Sequence, residues 1–108
     1  MALNYVSYLG GVSYDEGAAI ALDSSNNVYI TGYTQSDEKS FPVAGGMDLT
    51  YNGGFSDAFV AELNAAGTGR VYCGYIGGGS LDSGSGIAVD SGGNAYVTGR
   101  TTSDQTTF

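Results

Sequence analysis

Residues 2–41 of this 108-residue chain return without a gap as residues 69–108, and at that offset of 67 the two copies are identical at 19 of 40 positions. Identical pairs include Tyr8/Tyr75, Gly11/Gly78, Asp15/Asp82, Asp23/Asp90, Asn27/Asn94, Tyr29/Tyr96, Thr31/Thr98 and Phe41/Phe108. A period of this size constrains the fold more than any single motif. One repeat unit cannot bury its apolar face alone and must stack on a copy of itself. The chain holds about 1.6 units, so its sequence predicts a piece of a longer array or a subunit that assembles.

Period-two alternation dominates, and no long window keeps helical spacing with good helix formers. The expected fold class is all-β. Strands are predicted at Ala18–Leu22, Val28–Tyr33, Ala58–Leu63 and Arg70–Ile76, in meander order, which is the make-up of a β-propeller blade. Asp23–Asn27 and Asn64–Thr68 supply the hairpin loops. A second hairpin is predicted from Gly86–Val89 and Ala95–Gly99, and Leu3–Leu9 aligns with the last strand of the unit. Residues 1–16 then form the last strand of a preceding blade plus a crossing, 17–78 one full four-stranded blade, and 79–108 the first hairpin of the next. Gly10–Glu16 and Gly77–Ser83 are read as the glycine-rich crossings between blades. The connection Gln35–Ser56 is long for a compact domain, and its aromatics Phe41, Tyr51 and Phe55 predict a loop packed against the blade.

The residues Tyr8-Leu9-Gly10-Gly11, Asp15, Gly17, Ile20-Ala21-Leu22-Asp23-Ser24, Asn27 and Tyr29-Ile30-Thr31-Gly32 make a signature. Ser56-Asp57-Ala58-Phe59-Val60-Ala61, Leu63-Asn64, Tyr75-Ile76-Gly77-Gly78 and Ile87-Ala88-Val89-Asp90-Ser91 continue it. In these residues the chain resembles the bacterial SBBP-type β-propeller repeat. It departs at Asn26, where the family usually has glycine, and at Asn64-Ala65-Ala66-Gly67, which lacks the usual proline. The resemblance implies repeats strung along large secreted or surface-attached bacterial proteins without assigned catalysis, and hence an extracellular or cell-surface location.

Eleven acidic residues face three basic ones, for a net charge of -8, which argues against nucleic acid and anionic membranes as partners. Histidine is absent and Cys73 is the sole cysteine. A disulfide within the chain, a Cys/His zinc cluster and a Ser/His/Asp triad are therefore excluded within it. Cys73, flanked by Val71, Tyr72 and Tyr75, is read as a small core residue. The sequence shows neither a signal-peptide pattern nor a run long enough to span a membrane, so any export signal is expected on a longer parent chain.

Four groups of residues are candidates for sites. Asp23 with Asn27 and Asp90 with Asn94 carry oxygens that suit calcium, yet each loop has one carboxylate where calcium wants six to eight oxygen ligands. Tight turns closed by side-chain to backbone bonds, with Gly92 and Gly93 in left-handed conformations, are the preferred reading. Asp15 and Asp82 follow the double glycines and are expected to clasp one blade to the next by accepting backbone N–H groups. Tyr14, Tyr33 and Tyr51 are the expected exposed aromatics for a sugar. No pair of acids with the fixed separation that hydrolysis needs can be read from the sequence.

The expected function is a non-enzymatic structural or interaction scaffold without a cofactor, its partners being other blades of the same or identical chains. The alternative is a carbohydrate-binding propeller taking glycans, with calcium assistance. Head-to-tail assembly would add Leu3, Tyr5, Ser7 and Leu9 of one chain to the sheet edge left by Ala95, Val97 and Gly99 of another. That composite blade would still lack a third strand, which favours a filament over a closed ring.

Overall fold

A computed structural model describes residues 3, 8–45 and 48–108, and every regular element among them is a β-strand. Strands β1 (Asp15–Leu22), β2 (Val28–Thr34), β3 (Asp57–Leu63) and β4 (Arg70–Ile76) pair in chain order as an antiparallel sheet. Strands β5 (Asp82–Val89) and β6 (Ala95–Thr101) form a second, two-stranded sheet that repeats the β1–β2 pairing. The predicted strand Leu3–Leu9 cannot be traced, because residues 4–7 lie outside the described residues.

The crossings are shorter than the sequence predicts. Asp15–Gly17 and Asp82–Ser85 belong to strands, because β1 and β5 each carry a register shift, between Gly17 and Ala19 and between Gly84 and Gly86. One extra residue breaks the period-two alternation and hides the strand start from a pattern reading. Opposite each shift stands a glycine, Gly32 or Gly99. The backbone carbonyl of Glu16 or Ser83 occupies the place where a Cβ would sit, so no side chain fits there.

Strand β3 is buried on both faces, and its alternation sorts the core in two. One face sets Phe59 and Ala61 against Cys73 and Tyr75 of β4, with Ile30 of β2 beside them. The connection between β2 and β3 closes this face: Phe41 lies 5.2 Å from Phe59 and 5.4 Å from Tyr75 between ring centres, and Tyr51 lies 5.6 Å from Tyr75. The same connection runs along the free edge of β4. Ala44 and Cys73 exchange N–H···O bonds of 2.8 Å, and the Tyr75 N–H donates to the Asp48 carbonyl at 2.7 Å. The edge of β4 is thereby covered, which removes a template for stray pairing. The loop does pack against the blade, although Phe55 stands exposed instead of joining Phe41 and Tyr51.

The other face of the sheet meets β5. Tyr29, Thr31 and Ala58 are buried there. At Gly84 a Cβ would lie 3.1 Å from Thr31 Cβ and 3.2 Å from the Gly32 nitrogen, so the two sheets touch backbone to side chain.

Candidate functional site

Each hairpin loop is organised by its aspartate in the same way. Asp23 Oδ1 accepts from the Ser25 N–H (2.8 Å) and Asn27 N–H (3.0 Å), and Oδ2 from Asn27 Nδ2 (2.9 Å) and the Tyr29 hydroxyl (3.1 Å). Asp90 repeats the set with Gly92, Asn94 and Tyr96, at 2.9 to 3.0 Å. Four donors on one carboxylate favour its charged form. The Asn27 side chain leads in holding Asp23 below the usual carboxylate range, and bonds from Asn94 bring Asp90 down to about 2. The left-handed positions are Asn26 (φ 64°) and Gly93 (φ 80°), equivalent residues of the two copies. The expectation for Gly92 was incorrect: its N–H serves Asp90, and the turn needs only one left-handed residue.

Asp15 and Asp82 sit in matching cages. Asp82 Oδ2 accepts from the Gly78 N–H (2.9 Å) and Ser103 Oγ (3.0 Å), while Oδ1 accepts from Thr101 Oγ1 (2.5 Å). Asp15 takes the same bonds from Gly11, Ser36 and Thr34. The cage therefore ties the crossing to the end of the following hairpin. Sheet-to-sheet bonding at this place runs through the Asp82 backbone, whose N–H donates to the Ser56 carbonyl (2.8 Å) and whose carbonyl accepts from Ser56 Oγ (3.1 Å).

The three tyrosines do not form one surface. Tyr14 and Tyr33 stack with ring centres 5.9 Å apart and planes 17° apart, and the Tyr33 hydroxyl points to Glu16 Oε2 at 3.5 Å. Burial raises the Tyr33 hydroxyl pKa first, and the Glu16 charge adds to it. Tyr51 is half-buried against Tyr75 and its pKa is raised by that burial; Tyr33 is half-buried too, so of the three tyrosines expected to be exposed only Tyr14 is.

Of the residues expected to join sheets between chains, Leu3 is exposed, while Leu9 packs against the core built by Phe41, Phe59 and Tyr75 of the same chain. Tyr5 and Ser7 lie outside the described residues. Ala95, Val97 and Gly99 lie on β6, whose far edge pairs with no strand among the described residues. A cavity of about 160 Å³ beside it is lined by Ala58, Ile76, Val97 and Phe108.

One acid escapes the sequence reading. Asp57 opens β3 with no exposed surface; its Oδ2 accepts from the Asn52 N–H at 2.6 Å, and its Oδ1 has no partner among the described residues. Burial, opposed by the Asn52 bond and reinforced by the charges of Asp82 and Asp48, pushes its carboxyl up to about 6. Asp57 and Asp82 are 25 residues apart and on different sheets, so no local spacing could have announced the pair. Cys73 has no exposed surface, and desolvation raises its thiol to about 11, which removes it as a nucleophile at neutral pH.

A family model described as a beta-propeller repeat, SBBP, matches residues 4–38 and 69–104. No curated protein and no solved structure gives a significant match.

Proposed function

The chain belongs to the SBBP β-propeller repeat family, and from that premise we propose a non-catalytic scaffold of stacked blades whose partner is a further blade, in the same or an identical chain. One comparison carries this reading. Phe41 is buried between Phe59 and Tyr75, whereas its repeat equivalent Phe108 is 60% exposed. Tyr29 and Tyr96 differ in the same way, at 2% and 60%. A β3–β4 type hairpin laid along β6 would cover Phe108 as β3 and β4 cover Phe41, and a further sheet stacked on that blade would cover Tyr96 as the β5–β6 hairpin covers Tyr29. An exposed aromatic beside an open strand edge favours strand addition. The site chemistry supports a non-catalytic reading: the acid pair is buried and Cys73 is inert. The proposed location, outside the cytoplasm of a bacterium, rests on the family resemblance.

A second reading has its own support. The stacked Tyr14–Tyr33 pair beside Glu16 offers an aromatic surface with an acceptor, the make-up of a sugar subsite. Light scattering over a wide concentration range tests the scaffold: association is expected for the wild type and its loss for Phe108→Asp and Val97→Lys. A wild type that stays monomeric at the highest concentration rules out self-association. Saturable binding in calorimetric titrations with a glycan panel, lost in Tyr14→Ala, would favour the second reading.

A further inference from the structure

The boundary between the two sheets holds a pair of buried acids that face one place. A Cβ built on Gly77 would lie 2.9 Å from Asp82 Oδ2 and 3.2 Å from both Asp57 Oδ1 and Cγ. A side chain at position 77 would have to push one of the two carboxylates aside. The two acids are not equivalent. Asp82 is supplied with donors from Gly78, Ser103 and Thr101, which suits an ionised carboxylate. Among the described residues Asp57 receives one, on Oδ2, and its other oxygen is buried without a donor. A buried carboxylate oxygen with no donor strongly disfavours the charged form, and a neighbouring fixed charge disfavours it further.

We propose that Asp57 Oδ1 carries a proton at the blade boundary, and that release of this proton sets two buried negative charges against each other and loosens the contact between neighbouring blades. The groups that act on Asp57 are Asp82 from β5, Asp48 and Tyr51 from the β2–β3 connection, and Tyr75 from β4. The acids among them all oppose its charge. The backbone next to each acid spans the boundary, since Ser56 bonds to Asp82 on both sides of its peptide. A change at Asp57 is therefore transmitted directly to the sheet contact. Below the ordinary carboxylate range Asp57 is neutral in folded and unfolded chains alike. As pH rises, the unfolded chain ionises first and the folded one resists, so the folded state loses stability up to about pH 6 and no further from this group.

The test is a carboxyl-carbon NMR titration of the whole chain, with urea unfolding at pH 5 and pH 8. Asp57 is expected to titrate near pH 6 and to move lower in Asp82→Asn. The unfolding midpoint of the wild type is expected to be higher at pH 5 than at pH 8, and that difference to shrink by half or more in Asp57→Asn but not in Asp37→Asn. An Asp57 midpoint at or below pH 4 would overturn the proposal. So would a midpoint that millimolar calcium lowers, since the oxygen would then hold a cation instead of a proton.

Discussion

Thr31 of β2 and Gly84 of β5 meet across the two sheets so closely that Thr31 Oγ1 occupies the space a Cβ at position 84 would need. The threonine has little freedom to move, because its hydroxyl donates to the Phe59 carbonyl at 2.7 Å. Gly84→Ala must push the sheets apart or break that bond, and overpacking of this kind costs about 1–3 kcal/mol. Chemical denaturation of Gly84→Ala, Thr31→Ala and the double variant is expected to show coupling, the second change recovering part of the loss caused by the first.

The two equivalent phenylalanines should respond differently. Phe41→Ala removes a ring packed on Phe59 and Tyr75 and is expected to cost about 3–5 kcal/mol in urea unfolding. Phe108→Ala, at an exposed site in the single chain, is expected to change stability by no more than about 0.5 kcal/mol. Equal effects would show that Phe108 is already covered.

Cys73 should be inert while the chain is folded. With its thiol raised to about 11 and no exposed surface, alkylation at pH 8 is expected to run roughly 100-fold slower than in the urea-unfolded chain. Mass spectrometry of the labelled protein reads this out. Fast labelling would reveal an opening of the β4 core.

The turn aspartates are expected to lose their stabilising contribution in acid. Asp90 titrates at about 2 in the folded chain, below the ordinary value of about 3.9, so its contribution is complete above that value and is lost as pH falls toward 2. Thermal midpoints between about pH 4 and pH 2 are expected to fall further for the wild type than for Asp90→Ala. The direction is opposite to that of Asp57, whose ionisation weakens the fold.

What could be read from the sequence was local or periodic. The offset of 67 pointed to the β5–β6 hairpin as a copy of β1–β2, and the Asp-to-Asn spacing located both hairpin turns, because those turns close on residues two to four positions away. Strand starts at Asp15 and Asp82 were missed where a register shift breaks alternation. The burial of Tyr51 depends on a long connection folding back on Tyr75. The pairing of Asp57 with Asp82 exists only once two sheets stack, and Gly77, which makes room for it, resembles any other glycine of a crossing.

Among the described residues, every donor to the Asp15 carboxylate lies within residues 11–36, and every donor to the Asp82 carboxylate within 78–103. Each cage is complete inside a single copy. A genetic duplication or loss of 67 residues in register therefore leaves no aspartate stranded, wherever in the array it happens. A change in repeat number is then expected to need no compensating mutation at these two aspartates.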